Sequence, residues 1–435
     1  MSIMVGCQSI MPYADVTERT RDKAEKYLIK DQTLDSMFSI THEGVRMLRS
    51  PEENNKLAEE IYLPWDQADA FIDHISRLSP DEALDYYLNF NSATEIVPST
   101  APTVSPDFPV TSANQPVLSG VRIALDPGHI GGEMHMAELE GRYIKILHEQ
   151  ADHSKHTVQF NEGNLTYATA LLLQQSLTKL GAEVMITRNN YGVTSFGYDY
   201  KTWKETRFEH VFKEFVTEHK LTPPQIAWWQ DEASDGQVFH GIFNWDEFRN
   251  RAKKIDRFRP HLTLIIHYNA DPTDAADKQG YFSPVDSDFN MAFIPGSFMT
   301  DELNDPNSRL AWLRLLLSNQ IDQSLNFCTE IVDALERETG VSVIQSDRGI
   351  SYLEKASLST PTQGVYARNL AMTRRVRGTL CFAESLYEDN ASESLRLADT
   401  DLLVGGKQVS SRVQDVARAY LKAITAFTDR RYSHP

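Results

Sequence analysis

The chain has 435 residues, 41% of them hydrophobic, so it can bury a sizeable core and has room for two or three domains. Its 43 Lys and Arg against 61 Asp and Glu leave a net charge of −18, which argues against a nucleic-acid binder that works by neutralising phosphates. No run approaches the ~18 apolar residues of a membrane span, and Cys7, Cys328 and Cys381 are too scattered for a disulfide framework or a thiolate metal site.

At the N-terminal end, Met4-Val5-Gly6-Cys7 resembles the lipobox that closes a bacterial lipoprotein signal. That makes Cys7 a candidate lipid anchor and residues 1–12 a candidate processing segment, although the run before the cysteine is shorter than the ~7–15 apolar residues of such a signal. Residues 13–92 read as helices joined by short turns. Ser50-Pro51-Glu52-Glu53 and Ser79-Pro80-Asp81-Glu82 each supply a serine cap, a proline at the first helical position and a glutamate at the third. The stretch from Asn91 to Val117 is rich in Pro, Ser and Thr and has no periodicity, so residues 93–117 are expected to be a linker.

From 118 to 430 strands alternate with helices, which predicts an α/β fold, a single sheet flanked by helices, behind the N-terminal helical segment. Val121–Leu125, Glu183–Thr187, Leu262–Ile266 and Thr379–Ala383 are the expected strands. Leu165, Ala168, Leu172 and Leu180 mark one helix, ended by Gly181, and Ser308–Thr339 reads as another long one. Two interruptions, about 189–244 and 271–307, break the alternation. Trp203, Trp228 and Trp229 lie in the first and Trp245 just beyond it, so it is expected to pack on the core, or with the second to wall or lid a cleft.

Three side chains stand where strands end: His129, His267 and Glu384. The carboxyl ends of strands in open α/β sheets form the edge where ligands bind, so the three can meet there. Glu162, in Phe160-Asn161-Glu162-Gly163-Asn164, opens the helix after the first strand, where the helix dipole favours a carboxylate. Two histidines and a carboxylate with an open fourth position make a catalytic zinc site, and a further glutamate can take a proton from the bound water. The expected chemistry is hydrolysis. Taken singly, each residue also has a structural reading, since strand-end histidines satisfy backbone groups and glutamates at helix starts complement the dipole. His135, His148, His153 and His156 are alternative ligands, unless the polar run that holds them is an exposed loop.

In order, these segments resemble the zinc-dependent N-acetylmuramoyl-L-alanine amidases, bacterial cell-wall hydrolases. Asp126-Pro127-Gly128-His129-Ile130-Gly131-Gly132-Glu133 is similar to their Asp-Pro-Gly-His-Gly-Gly motif, with Ile130 as a departure. Glu162 resembles the glutamate opening their Glu-x-x-x-Leu helix, Ile265-Ile266-His267-Tyr268-Asn269-Ala270 their second histidine motif, and Ala383-Glu384 with Asn390 their Val-Glu motif. Arg251 holds the place of an arginine that precedes the second histidine. The resemblance spans roughly Val121 to Leu403. It implies Zn2+ held by His129, Glu162 and His267, Glu384 as catalytic base, and Asp126, Glu133, Arg251 and Asn269 as supporting residues. It further implies a peptidoglycan or muropeptide substrate, a protein activator as in some relatives, no nucleic acid, and a place in the bacterial cell envelope, in the periplasm. A zinc hydrolase of another acyl-amino compound, or a non-catalytic binding or regulatory module that keeps the fold, are the alternatives.

Overall fold

The computed structural model describes residues 13–49, 58–97, 100–109, 115–149, 153–271, 276–345 and 348–433. The lipobox-like stretch with Cys7 and the Ser50-Pro51 helix start lie outside the described residues. Among those described, no helix is long and apolar enough to cross a membrane.

The N-terminal region is mixed, and the expectation of helices throughout 13–92 is corrected. A helix at Ala14–Lys23 is followed by three antiparallel strands, β1 (Phe38–Ile40), β2 (Gly44–Arg49) and β3 (Ala58–Pro64), before helices Trp65–Ile75 and Pro80–Leu88. The second of these carries the full Ser79/Glu82 capping box. Val45 and Met47 on β2 lie opposite Leu63 and Ile61 on β3, and all four are buried. That is the period of two of a half-buried sheet. Their cluster continues into Trp312 and Leu313 of the main body, so the region packs as part of one core. The stretch expected as a linker also lies on the protein: Val104 is buried and donates its N–H to Ser76 O at 2.8 Å, and Phe108 packs against His261 and Phe427.

The main body begins with β4 (Arg122–Pro127), followed by an antiparallel hairpin of β5 (Tyr143–Glu149) and β6 (Lys155–Asn161). Then come β7 (Glu183–Ile186), β8 (Leu262–Asn269), β9 (Met291–Pro295), β10 (Ser357–Ser359), β11 (Val365–Arg368) and β12 (Leu380–Tyr387). Seven of these form one sheet in the order β10-β11-β9-β12-β8-β4-β7. The four strands β7, β4, β8 and β12 run parallel, and β9 turns against them. Strand β9 lies within the expected interruption 271–307; its five residues, Met-Ala-Phe-Ile-Pro, are all buried, and so short an apolar run has no alternation to announce it. The helix expected over Ser308–Thr339 is two, Pro306–Leu317 and Gln320–Thr339, separated at Ser318, whose ψ of 171° is extended.

Both faces of the sheet are covered, which is why its strands read as continuous apolar runs. Ile123, Leu125, Leu264 and Ile266 pack beneath the helices Glu162–Lys179, Gln320–Thr339 and Arg412–Ser433. Ala124, Ile265, Phe293 and Phe382 point to the other face, where Ile255 of the helix Asn244–Phe258 covers part of it. The interruption 189–244 is a helical subassembly around Trp203, Phe212, Phe215, Phe239, Phe243 and Trp245. Trp203 is fully buried and donates its indole N–H to Asp246 at 2.8 Å, whereas Trp228 and Trp229 are half-buried.

Candidate metal centre

Strand register and two glycines build the site. Gly128 N still bonds to Ile266 O at 2.8 Å, so the loop that carries His129 leaves β4 zipped to β8. A Cβ on Gly128 would sit 2.3 Å from Cε1 of His267, so only glycine lets the imidazole lie against the loop. A Cβ on Gly163 would sit 2.2 Å from Gly131 N, so the helix start touches the same loop backbone to backbone and brings Glu162 in beside it. Glu384 is the direct register partner of His267 across β12 and β8.

The side chains converge. Glu162 Oε2 lies 2.9 Å from His129 Nε2, and its Oε1 lies 2.9 Å from His267 Nδ1 and accepts the Tyr268 N–H at 3.0 Å. One ligand atom from each of His129, Glu162 and His267 falls within 4.8 Å of the others, the one such donor cluster among the described residues. Beside it, Glu384 is buried and its Oε2 has no hydrogen-bond partner among the described residues. Burial and the nearby Glu162 push the Glu384 carboxyl up to about 8, with Arg368 and Arg142 opposing. Burial alone would lower the His129 imidazole, but Glu162 and Glu140 overcome it and raise it to about 9. Burial lowers His267, and Glu162 is held well below the usual carboxylate range by His129 and His267 against the cost of its own burial.

His129 sits at φ +59°, in the left-handed region that costs a non-glycine residue energy, and several contacts hold it there. Glu140 Oε1 accepts a hydrogen bond from His129 Nδ1 at 2.9 Å and its Oε2 accepts the Ile130 N–H at 3.1 Å, leaving Nε2 to face Glu162. Arg251 donates to Pro127 O at 3.0 Å and His129 O at 3.3 Å, anchored by Glu247 and Asp126. The buried Arg188 donates to Ile130 O at 3.0 Å and Gly163 O at 2.7 Å, tying the loop to the helix that carries Glu162.

Two expected supporting roles change. Asp126 contacts Thr187 Oγ1 at 2.5 Å and Arg251, not the His129 ring, because it lies inside β4 on the side of the helix that bears Arg251. Glu133 is exposed at the cap of the helix Met134–Glu140, and the carboxylate on His129 comes from the far end of that helix. Arg251 braces the loop as described. Asn269 donates to the Tyr352 hydroxyl at 3.4 Å at the edge of the site, and Asn390 caps the helix Ala391–Leu397. The described residues between His129 and Glu162 form a helix and a two-stranded hairpin where an exposed loop was expected; His148 contacts Ser394, His153 contacts Glu149, His135 and His156 are exposed, and none joins the donor cluster found among the described residues. Glu140 and Arg188 were missed in the sequence. The spacing of Ala137 and Glu140 on one buried helix face was the available signal for the first.

The donor set suits zinc: two imidazole nitrogens and a carboxylate, one imidazole held from behind by a second carboxylate. No family model and no curated protein matches the chain. Among solved structures, similar chains include the CwlD amidase of Clostridioides difficile, solved in complex with the GerS lipoprotein, at 14% identity and a TM-score of 0.37, over 72% of this chain and 100% of that one. The N-acetylmuramyl-L-alanine amidases Ami1 of Mycobacterium smegmatis (16%, TM-score 0.37, 72% and 98% covered) and Mycobacterium abscessus (15%, TM-score 0.35, 71% and 99% covered) are similar too. With superpositions this loose, the functional reading rests on the side chains themselves.

Proposed function

We propose that the chain is a zinc-dependent hydrolase of the amide joining N-acetylmuramic acid to L-alanine in peptidoglycan. The observation that carries this reading is the convergence of His129, Glu162 and His267, with the unpartnered carboxylate of Glu384 beside them, in segments whose motifs resemble that family. When bound, zinc supplies Lewis acidity, lowering the pKa of a coordinated water towards ~7 and polarising the scissile carbonyl.

The chain's own groups divide the remaining work. Glu140 keeps the His129 proton on Nδ1, so Nε2 is free to act as a donor, and Glu162 is fixed by the Tyr268 N–H. Glu384 accepts the proton of the attacking water as the new carbon–oxygen bond forms, then gives it to the amine nitrogen as the carbon–nitrogen bond breaks. Its upward-shifted carboxyl makes it a stronger proton acceptor once ionised, and so able to hold the proton until the amine leaves. Action on peptidoglycan implies an envelope location outside the cytoplasm, and acylation of Cys7 would hold the enzyme there.

Metal analysis of the purified protein together with muropeptide digestion tests the reading. The expected result is one zinc per chain and release of peptides with a free L-alanine amine. Zinc with cleavage only of other acyl-amino compounds would select the other hydrolase, and zinc without any hydrolysis would select a binding module.

A further inference from the structure

A cavity of about 300 Å3 opens away from the metal donors, where three parts of the chain meet. Helices Trp65–Ile75 and Pro80–Leu88 of the N-terminal region form one wall and helix Asn244–Phe258 another; helix Pro306–Leu317 and the short helix Ala371–Arg375 complete it. Arg377, which also lines it, stands three residues before β12 begins. The cavity therefore lies toward the amino ends of the parallel strands, and neither a metal donor nor Glu384 lines it. Its volume is at the small end of the ~300–1,000 Å3 that ligand pockets span, and Ile75, Leu84 and Leu310 give it an apolar floor.

The charges around it do not balance locally. Asp81 pairs with Lys253 at 3.7 Å, Glu218 with Arg249 at 2.9 Å, Glu302 with Arg374 at 2.5 and 2.7 Å, and Asp256 with Arg377 at 2.9 and 2.7 Å. Asp305 is occupied as the cap of Pro306–Leu317, accepting the N–H groups of Asn307 and Ser308. Two guanidiniums on the wall are left without a carboxylate. Arg314 donates to Gln320 Oε1 and, at 2.8 Å, to Arg374 O; burial and the neighbouring Arg377 push it down to about 10, with Asp256 opposing. Arg375 makes no hydrogen bond and no ion pair among the described residues. Burial and then Arg249 hold its guanidinium below the ordinary range, and Glu218 and Asp305 oppose them from beyond ion-pair distance. A guanidinium drawn out of water without a partner carries a cost that a bound anion offsets, and its planar fork matches a carboxylate or a phosphate. This local excess of positive charge stands in a chain whose net charge is −18.

We propose that this cavity binds a small organic dianion, its charged head on Arg375 and Arg314 and its apolar body on the floor of Ile75, Leu84 and Leu310. Phosphate monoesters and dicarboxylates share that chemistry. The site is separate from the metal centre, and the proposal does not depend on the hydrolase reading.

Calorimetry on the full chain, zinc-free and zinc-loaded, tests it with phenyl phosphate, isophthalate and the neutral benzamide. At least one dianion is expected to bind about 10- to 100-fold more tightly than benzamide in both forms of the protein, and the tighter of the two tells phosphate from dicarboxylate. R375Q breaks no hydrogen bond or ion pair among the described residues, so it should fold, and it should remove most of that preference; R375K should restore part of it. A371E sets a carboxylate one helical turn from Arg375 at an exposed position, and should also remove the preference while leaving the arginine in place. An unchanged preference in whichever of R375Q and A371E folds overturns the proposal. So does benzamide bound as tightly as both dianions, an absence of saturable binding, or dianion binding confined to the zinc-loaded protein, which would place the anion on the metal.

Discussion

At the scale of single residues, the proposed mechanism assigns holding a metal and moving a proton to different side chains. Glu384 touches none of the three donors through a hydrogen bond, so Glu384→Gln should keep zinc while kcat falls about 10²- to 10⁴-fold, read by metal content and muropeptide hydrolysis on the same sample. Near-normal turnover in that variant would remove Glu384 from the mechanism. Glu140 acts from behind: Glu140→Ala frees the His129 ring from its tautomer and its left-handed backbone from a support, and zinc affinity should drop about 10- to 100-fold by competition with a chelator. On the zinc reading, the proton that Glu162 and Glu140 favour on His129 competes with the metal. With His129 raised to about 9, a metal arriving at neutral pH must displace that proton, so affinity should rise as pH increases and level off above about 9. Calorimetry at pH 7 in buffers of different ionisation enthalpy should show proton release on binding, and an affinity flat from pH 6 to 9 would contradict the assignment.

At the scale of elements, the segment 189–244 meets the His129 loop through the Ile130 side chain and through Gly192, whose N–H donates to Ile130 O at 3.1 Å. Ile130 stands next to His129, at the one departure from the motif that this segment resembles, and it is buried in the aromatic cluster of Trp203, Phe239 and Phe243. An isoleucine in a motif position that otherwise takes glycine is thus explained by what packs on it. Ile130→Ala should cost about 2–5 kcal/mol, read by thermal or chemical denaturation with tryptophan emission as the probe, and should loosen the His129 loop with it. Removal of Thr202 to Gln237 takes away Trp203, Val211, Phe212 and Phe215 and leaves Ile130, Ile242 and Phe243 uncovered. The expected outcome is a domain that unfolds or aggregates, whereas a folded deletion with raised activity would show that the segment is a lid.

At the scale of the molecule, the N-terminal region and the sheet domain form one body, held by a shared apolar cluster and by charge. Arg309 grips Glu60 through two hydrogen bonds of 2.7 and 2.6 Å, with the side chains 6% and 4% exposed. Such a pair adds little over an apolar substitute, but losing one member strands the other's charge. Arg309→Met should therefore destabilise the protein by about 3–5 kcal/mol, and hydrogen exchange should report the loss first in β3 and the helix Pro306–Leu317. A change within experimental error would mean that the N-terminal region docks through its apolar contacts alone.

The local sequence determined what local forces decide. The serine, proline and glutamate at 79–82 specify a helix start whatever surrounds them, and the apolar runs of β4, β8 and β12 can only be buried, which pointed to His129, His267 and Glu384 as neighbours on one sheet; the structure carries β8 on to Asn269 and β12 on to Tyr387, so His267 and Glu384 lie within their strands and do not end them. Tertiary structure decided what depends on partners remote in the chain. The five residues of β9 are a strand because β11 and β12 offer them hydrogen bonds on both sides, and β2 and β3 are strands because each buries the other's alternate residues. Glu140 became the partner of His129, and Asp126 did not, because a carboxylate's role follows from the direction its backbone imposes once helix and strand are docked, and that direction is not carried by the residues themselves.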